Sequence, residues 1–325
     1  MKYLITGSAG FIGSSLAVAL LERNDEVLGI DNILPYQDIR LSHARLARCL
    51  AFERYQHSDI DIRNGQKLGA LIQNWQPQVV IHLAARAGVR AAEQDPQSYI
   101  DTNIQGFFNI MEACRKTPVE ALVYASSSSV YGGIERLPYH ESMPIEHPLN
   151  LYAATKKANE LLAYSYSHLH HLPTIGMRFF TVYGPWCRPD MALLHFALSI
   201  KNGKPIDLYN YGRHRRDFTY INDIIQGLLL IIDHWESKLE IGANGPYAIY
   251  NIGSGQPIPL AVYVSWLEQY LGYTAIKEQR PRRSCDMLAT YADITAIHRD
   301  FGYQPQFSIE EGIRRFSVWF HDFYA

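Results

Sequence analysis

The chain has 325 residues, of which 47% are hydrophobic and 19% are charged, and its formal net charge at pH 7 is −2. This composition excludes a disordered or fibrous chain and is sufficient for a substantial core, divided between two domains. The nearly balanced charge gives no general attraction to nucleic acids or anionic membranes, so we expect neither as a partner.

The cysteine spacing and the hydropathy pattern narrow the class of protein further. Cys49, Cys114, Cys187 and Cys285 lie far apart without a C-x-x-C pair, and predict neither a zinc site nor a disulfide framework. The segment MKYLITGSAG lacks the long apolar core of a signal peptide, and no run reaches the about 18 apolar residues of a membrane span. We therefore expect a soluble, cytoplasmic protein.

Short β-rich runs alternate with helical stretches from the start of the chain to about residue 180. The runs are, in order, YLITG, EVLGID, VVIHLAA, ALVYASS and TIGMRFF. Apolar strands separated by helices are typical of a parallel sheet that is covered on both faces. We predict an α/β fold with a doubly wound, mostly parallel sheet and a smaller, interleaved α/β substrate domain.

Shorter elements follow residue 180, including PIDLY, DFTYI, AIYNIG and a last helix near residues 308–322. Because no linker separates two halves, the second domain is expected to be interleaved with the first. Residues 1–180, with about 217–253 returning to them, are predicted to form a dinucleotide-binding domain. Residues 181–216 and 254–325 are predicted to form the substrate domain.

A glycine-rich loop connects the first strand to the first helix. In GSAGFIG, Gly7, Gly10 and Gly13 are spaced three apart. Such glycines permit a tight turn, let the backbone approach a pyrophosphate and let the helix pack closely, while the helix N-terminus attracts phosphate. The order G-x-x-G-x-x-G differs from G-x-G-x-x-G, but its strand-to-helix context indicates a Rossmann dinucleotide site. A purely structural turn is the alternative.

An acidic residue ends the second strand and indicates which dinucleotide binds. Asp31 lies 18 residues after Gly13, where a carboxylate can accept hydrogen bonds from the adenosine ribose. Because it would repel a 2′-phosphate, the predicted cofactor is NAD. Asp61 and Ile62, in the loop after the third strand, are candidate contacts to adenine. Further cofactor-binding candidates are Phe11, Ile12, Asn32, Leu83, Ala84 and Ala85.

The segment YAATKKANE places Tyr152 and Lys156 four residues apart, on one face of a predicted helix. A nearby ammonium favours the phenolate, and so brings a tyrosine that titrates near about 10 towards the working pH. Tyr152 is therefore a candidate base. The alternative is an amphipathic helix with a core tyrosine and solvated lysines.

Histidines near the end of the same helix raise the question of a metal. His168 and His171 are one turn apart, but no carboxylate or cysteine partner is evident nearby. A polar helix end is favoured, and no metal is predicted.

Several motifs together resemble one family. TGSAGFIG, VIHLAA, ASSSSVYGG and YAATK occur in the order found in the extended short-chain dehydrogenase/reductase family, whose members modify nucleotide sugars with a tightly held NAD. The resemblance implies that Tyr152 is the catalytic acid/base and that Lys156 binds the nicotinamide ribose and lowers the tyrosine pKa. It also implies that Ser127, four residues before the tyrosine of V-Y-G, orients the same substrate hydroxyl.

Two absences indicate which reaction follows oxidation of the sugar. In the family that this chain resembles, the dehydratases carry an Asp-Glu pair immediately after the catalytic Ser/Thr. The decarboxylases of that family carry a glutamate two residues before the V-Y-G tyrosine. This chain has Ser128 and Ser129 at those positions. The resemblance therefore implies return of the hydride to the other face of a 4-keto intermediate, which is a C4 epimerisation.

The substrate prediction depends on RFFTVYGPWCRPDMAL and YGRHRRDFTYIND, which resemble UDP-glucuronate 4-epimerases of this family. The resemblance implies that Arg188 faces the sugar carboxylate, which a planar guanidinium can hold bidentately. It also implies that Arg216 binds the diphosphate. Thr181, Arg90 and Ser128 are further substrate-binding candidates.

Near the C-terminus the sequence departs from the UDP-glucuronate 4-epimerase pattern, which leaves other functions open as alternatives. In RRSCDMLATYAD, Arg283 and Asp286 resemble the R-x-G-D of UDP-galactose-type epimerases, and would contact the UDP phosphate and ribose. A UDP-glucose or UDP-N-acetylglucosamine 4-epimerase therefore stays an alternative. So do a nucleotide-sugar oxidoreductase with net NAD(P) turnover and a non-catalytic NAD sensor. The family resemblance further implies a role in polysaccharide biosynthesis and a homodimer, formed through helices near residues 95–115 and 151–170.

Overall fold

The computed structural model describes residues 1–34, 38–239, 245–282 and 287–325. Its strands are β1 (Lys2–Thr6), β2 (Glu26–Ile30), β3 (Tyr55–Ser58), β4 (Val79–His82), β5 (Ala121–Ser127), β6 (Thr174–Phe179), β7 (Thr181–Tyr183), β8 (Ile206–Tyr209), β9 (Arg215–Tyr220), β10 (Tyr247–Ile252), β11 (Pro257–Pro259) and β12 (Lys277–Arg280).

The helices are α1 (Phe11–Glu22), α2 (Ile39–Leu50), α3 (Gly65–Trp75), α4 (Val89–Gln94), α5 (Pro96–Tyr99), α6 (Phe107–Lys116), α7 (Leu151–His170), α8 (Ala192–Lys201), α9 (Ile221–His234), α10 (Leu260–Leu271), α11 (Thr295–Phe301) and α12 (Ile309–Tyr324). A π-helix spans Ile100–Gly106, and 3₁₀ helices span Ser128–Tyr131, Asn210–Gly212 and Trp235–Ser237. Within the described ranges, none of these helices combines the length and apolarity that a bilayer span requires.

A seven-stranded sheet has the order β10-β6-β5-β4-β1-β2-β3. The pairs β2–β3, β1–β2, β1–β4 and β4–β5 are parallel. From β1 the chain adds strands first on one side and then on the other, so the order reverses between β1 and β4. Open α/β sheets bind ligands at such a switch point, beyond the carboxyl ends of the strands. The predicted doubly wound, mostly parallel Rossmann sheet is confirmed.

The centre of this sheet is buried because its strands are continuous apolar runs. Leu4, Val80 and Leu122, on neighbouring strands, are each fully buried in one core cluster. Helices α3 and α6 contribute Ile72 and Phe107 to the same cluster. Full burial of each such side chain contributes about 1.5–3 kcal/mol. This core fixes the position of the sheet edge at which β1, β2 and β4 end.

The chain divides into two compact units. The first consists of residues 1–132, 143–178 and 227–250, and the second of residues 133–142, 179–226 and 251–325. The second unit contains the three-stranded sheet β11-β9-β7 and the pair β12–β8. Helices α8, α10, α11 and α12 also lie in this unit.

The units differ from the predicted boundaries by ten residues at each of two segments and by two or three residues at positions 179–180 and 251–253. Residues 133–142 and 217–226 fall in the second unit, whereas the sequence analysis assigned them to the first domain. Tyr139 bridges to Ala292, and strand β9 continues past residue 217 while paired with β7 and β11. These contacts are made over long sequence separations, which no local pattern reveals. The assignment of cofactor and substrate to particular parts of the chain stays a prediction.

Candidate active site

The glycine loop after β1 is closed tightly against the end of β4. Gly7 has φ +73°, and its carbonyl accepts a hydrogen bond from the Gly10 amide at 2.9 Å. A Cβ on Gly7 would lie 2.8 Å from the Ala84 nitrogen, and one on Gly13 would lie 2.1 Å from the Gly7 carbonyl oxygen. The backbone therefore requires glycine at these positions and forms a cradle without side chains.

Helix α1 begins directly after this loop. Its N-cap is Gly10, which makes no side-chain capping bond, and its first turn carries no acidic residue. The partial positive charge of the helix N-terminus is thus not neutralised by the loop's own side chains. A pyrophosphate fits the chemistry of this end of the helix.

Asp31 follows β2 and lies across the glycine loop. Its Oδ2 accepts from the Ala9 amide and its Oδ1 from the Ile33 amide, both at 3.0 Å. Burial raises the pKa of Asp31, and the two amides oppose that effect, as does the positive charge of His57. Because a carboxylate has about four acceptor sites, these two bonds leave capacity for ribose hydroxyls.

The predicted adenine contacts, Asp61 and Ile62, have other partners as well. Asp61 accepts a hydrogen bond from the side-chain amide of Asn32 at 2.8 Å and forms a forked ion pair with Arg63. Hydrogen bonding to Arg63 lowers the pKa of Asp61. The side chain of Ile62 packs in the core, and its carbonyl accepts from Asn109 at 2.9 Å. An adenine contact of Ile62 is therefore confined to its backbone, since its side chain is buried.

The segment after β4 contains the candidates Leu83, Ala84 and Ala85. Their backbone is tied to β1, because the amides of Leu83 and Ala84 donate to the carbonyl and hydroxyl of Thr6, each at 3.2 Å. The Thr6 hydroxyl also bonds His82 Nδ1 at 2.8 Å. Phe11 is buried and Ile12 is half-buried at the start of α1.

A clamp on this segment was missed by the sequence analysis. Buried Asn103, in the π-helix, accepts from the Arg86 amide at 2.8 Å and donates to the Arg86 carbonyl at 3.0 Å. The Asn103 side chain also donates to Thr155 on α7 at 3.0 Å, and Asn159 donates to the Asn103 carbonyl at 2.7 Å. Asparagine inside a helix is unfavourable, which is the only local sign of such a role.

The three predicted catalytic residues lie in the first unit on two elements. Ser127 ends β5, and its hydroxyl accepts from the Ser129 amide at 3.2 Å. Asn150 caps α7 by accepting from the Ala153 amide at 2.9 Å, so Tyr152 lies in the first turn of the helix. The partly exposed Tyr152 ring packs edge-on against Tyr99, with a centroid separation of 6.4 Å.

Lys156 is buried rather than solvated. Only 2% of it is exposed, and its Nζ donates to the Ala125 carbonyl at 2.7 Å, two residues before Ser127. Burial lowers the pKa of Lys156 from 10.5 to about 8. Burial and the charge of Lys156 lower the pKa of His82 to about 3, which keeps that imidazole neutral. The alternative of a solvated Lys156 is therefore wrong.

A second buried network joins the same elements and was not predicted. Arg178 on β6 forms a forked ion pair with Glu160 on α7, at 2.9 and 3.0 Å, and donates to the Tyr131 hydroxyl at 3.0 Å. Ser126, beside Ser127, donates to Glu160 at 2.6 Å. Since all these side chains are buried, removal of either charge would cost about 3–5 kcal/mol. The network fixes β5, the 3₁₀ turn and α7 to one another.

Thr181, Arg188 and Arg216, three of the predicted substrate residues, lie in the second unit. Half-buried Thr181 begins β7 and, together with buried Cys187, lines a small cavity. Arg188 forms a forked ion pair with Asp190, in which Nε lies 2.9 Å from Oδ1 and Nη2 contacts Oδ2. Arg216 lies on β9, and its Nη1 donates to the Arg215 carbonyl at 3.0 Å.

Asp217 anchors the backbone beside Arg216. Its carboxylate accepts from the Ser254 amide at 2.7 Å, the Gly255 amide at 3.0 Å and the Ala292 amide at 3.0 Å. Burial raises the pKa of Asp217, and these amides oppose the increase. Strand β9 is thereby fixed to two other segments of the second unit.

The remaining candidates are only partly described. Ser128 is half-buried at the start of the 3₁₀ turn after β5. Arg90 belongs to α4, but its side chain lies outside the described residues, as do Arg283 and Asp286.

Comparison with known proteins identifies the family. The model of the NAD dependent epimerase/dehydratase family matches residues 3–253. The chain belongs to this family. Family membership agrees with the predictions of a Rossmann sheet, of an NAD-dependent epimerase and of NAD as its cofactor.

Relatives of this epimerase/dehydratase chain include a probable UDP-glucuronate 4-epimerase from Rhizobium meliloti, 38% identical over 100% of this chain and 98% of the relative. UDP-glucuronate 4-epimerase 1 from Arabidopsis thaliana is 40% identical over 100% of this chain and 78% of its own length. The crystal structure of UDP-glucuronic acid 4-epimerase from Bacillus cereus, in complex with UDP-glucuronic acid and NAD, is 32% identical. It superposes with a TM-score of 0.90 over 100% of both chains.

Proposed function

We propose that this family member is an NAD-dependent UDP-glucuronate 4-epimerase, which interconverts UDP-glucuronate and UDP-galacturonate through a 4-keto intermediate. The observation that carries the proposal is the environment of Lys156. Its buried ammonium is bonded to the Ala125 carbonyl, two residues before Ser127, and lies four residues after Tyr152 on α7. This set suits removal of a hydroxyl proton from a sugar.

NAD fits the first unit by shape and by charge. The glycine cradle and the uncapped start of α1 suit a pyrophosphate, and Asp31 retains acceptor capacity for the adenosine ribose. Asn32 and Asp61 extend the ribose and adenine side of this site, and Leu83, Ala84 and Ala85 line the side held by Thr6. When bound, NAD supplies a reversible hydride acceptor.

Tyr152 removes and returns the proton of the sugar 4-hydroxyl. The ammonium of Lys156 favours the phenolate of Tyr152, because a positive charge in a buried site is poorly screened. Ser127 holds the same sugar oxygen, and its own orientation is fixed by Ser129. Neither Ser128 nor Ser129 can abstract a further proton as a carboxylate would, so the 4-ketone is reduced again. Return of the hydride to the opposite face of the ketone gives the C4 epimer.

A further set of residues recognises the nucleotide sugar. Arg188 binds the C6 carboxylate, and Thr181 contacts the sugar. Arg216 binds the diphosphate, from a strand that Asp217 holds in place. Ser128, Arg90, Arg283 and Asp286 complete the proposed substrate contacts. The similarity to UDP-glucuronate 4-epimerases supports the choice of a uronate.

The test is incubation of the purified protein with a panel of UDP-sugars and no added cofactor, followed by separation of the products. UDP-glucuronate should yield UDP-galacturonate, while UDP-glucose and UDP-N-acetylglucosamine should react far more slowly. A preference for a neutral sugar would overturn the uronate assignment. Stoichiometric consumption of added NAD or NADP would instead indicate an oxidoreductase.

A homodimer is also proposed, formed through α6 and α7. These helices pack together and expose apolar side chains, with Phe108, Leu161 and Tyr164 each at least 39% exposed. Such a pair of helices can bury this surface against a second copy of itself. We place the enzyme in the cytoplasm, in biosynthesis of uronate-containing polysaccharides.

Asp31 should determine how tightly NAD is retained. Asp31→Asn keeps the shape of the side chain but removes its charge, so NAD affinity should fall about 10-fold or more. Discrimination against NADP should fall as well, because the 2′-phosphate is no longer repelled. Nucleotide released on denaturation, together with the Kd values of the stripped protein, measures both effects. Asp233→Asn, which loses an exposed pair with Arg23, is the control and should retain NAD.

Lys156 should leave a signature in the pH dependence of stability. Its folded-state pKa is about 8, below the 10.5 of an ordinary lysine. At pH values between these two pKa values the unfolded chain binds more protons than the folded chain, so Lys156 makes the free energy of unfolding rise with pH. Below pH 8 the destabilisation caused by burying the charged lysine is fully present. In nucleotide-free protein, the free energy of unfolding of wild type minus that of Lys156→Met should rise by about 3 kcal/mol from pH 7 to 10.5. A difference that does not change with pH would contradict the burial of a charged Lys156.

A further inference from the structure

The partner of Arg188 is a carboxylate of the chain itself. We propose that Asp190 holds the Arg188 guanidinium as a stand-in for the sugar carboxylate and is displaced when a uronate binds. Asp190 is then a specificity-determining residue: a uronate replaces it on Arg188, and a neutral sugar does not. This inference rests on the proposed function, because it requires Arg188 to receive the C6 carboxylate.

The geometry of the pair is that of carboxylate recognition. Asp190 bonds Nε and Nη2, which form one of the edges at which a guanidinium binds a carboxylate with two parallel hydrogen bonds. A uronate carboxylate has the same two oxygens in the same arrangement. It can therefore take the place of Asp190 at this edge and accept the same two hydrogen bonds.

The backbone keeps the two side chains together. Arg188 and Asp190 lie in the connection between β7 and α8, where the Met191 amide donates to the Arg188 carbonyl at 3.1 Å. The Cys187 amide donates to the Gly184 carbonyl at 3.3 Å in the same connection. These turns fix the backbone, so exchange of partners requires rotation of the Asp190 side chain and no movement of the chain.

Displacement of Asp190 from Arg188 should cost little free energy. The Asp190 side chain is 54% exposed, and exposed ion pairs contribute little to stability. Asp190 also precedes Met191, the N-cap of α8, which makes no side-chain capping bond. The displaced carboxylate therefore returns to water beside the positive end of a helix.

Exchange of partners limits the preference for a uronate that Arg188 would otherwise provide. A uronate leaves Arg188 paired throughout, because one carboxylate replaces another. A neutral sugar offers no replacement, so Arg188 stays on Asp190 and contributes nothing to binding. Asp190 thus lowers the affinity for every ligand that must displace it, and only for such ligands.

Removal of the competing charge is the test. In a Tyr152→Phe background, which prevents turnover, Asp190→Asn should tighten UDP-glucuronate binding about 2- to 5-fold. The Kd of UDP alone, which has no sugar carboxylate, should not change. Asp300→Asn is the matched control, because Asp300 forms a forked, exposed pair with Arg299 on α11. It should alter neither Kd.

A double-mutant cycle separates competition from other effects. With Arg188→Ala already present, Asp190→Asn should no longer tighten UDP-glucuronate binding. Unchanged or weaker binding in Asp190→Asn alone would overturn the inference, since Asp190 would then orient Arg188 rather than compete for it. If the wild type converts UDP-glucuronate but Asp190→Asn does not bind it more tightly, the role of Asp190 is wrong and the proposed function stands. A wild type that does not act on UDP-glucuronate overturns both proposals.

Discussion

Tyr152→Phe should lower kcat by about 10²-fold or more while leaving the fold and the bound NAD unchanged. The substitution removes the proton acceptor but keeps the ring that packs edge-on against Tyr99. Lys156 remains bonded to Ala125, so the cofactor side of the site is undisturbed. Product formation from UDP-glucuronate and the thermal unfolding midpoint are the two measurements.

Tyr166→Phe provides the matched control. Tyr166 lies on the same helix, and its hydroxyl donates to Glu112 at 2.9 Å, so this variant loses a phenolic hydroxyl from α7, as Tyr152→Phe does. It should retain near wild-type kcat. Equal losses in both variants would assign the effect to α7 as a whole, and near wild-type kcat in Tyr152→Phe would remove Tyr152 from the mechanism.

Arg188→Ala should lower activity on UDP-glucuronate far more than activity on a neutral UDP-sugar. Loss of the guanidinium leaves the sugar carboxylate without a partner in a partly desolvated site, which costs about 2–5 kcal/mol. A UDP-glucose molecule has no carboxylate to leave unpaired. The ratio of kcat/KM values should therefore shift about 10-fold or more towards the neutral sugar, and competition assays with both substrates measure the shift.

Arg216→Ala serves as the comparison, because both substrates carry the diphosphate. This variant should lower kcat/KM for the uronate and for the neutral sugar by similar factors. If Arg188→Ala also lowered both by the same factor, the assignment of Arg188 to the carboxylate would be wrong. The epimerase assignment would survive that result, since it depends on Ser127, Tyr152 and Lys156.

Local patterns in the sequence were sufficient for the fold and for the cofactor loop. The alternation of apolar runs and helices predicts a parallel sheet because each strand must be covered on both faces. Gly13 is required by a contact with Gly7 in the same loop, and Gly7 by the end of β4, the strand beside β1. Asp31 is placed by its distance from the glycines. All these signals are short-range or follow from regular strand order.

Long-range partners could not be predicted in the same way. Asn103 clamps Arg86 and reaches Thr155, which is 52 residues away. Glu160 and Arg178 lie on different elements, and neither shows a local sign that it is buried. The burial of Lys156 likewise depends on how α7 packs against β5, since a lysine pattern alone equally suits a solvated face. The pairing of Arg188 with Asp190 is local, but it depends on turn geometry that the motif does not specify.

The most direct test of the central claim uses UDP-glucuronate that carries deuterium at C4 of the sugar. The purified protein, with no added cofactor, should convert it to UDP-galacturonate that keeps the deuterium at C4, as followed by NMR. Retention is expected because the hydrogen removed from C4 returns to C4 without exchange with water. Loss of the deuterium to solvent, or the absence of UDP-galacturonate, would contradict C4 epimerisation through a 4-keto intermediate.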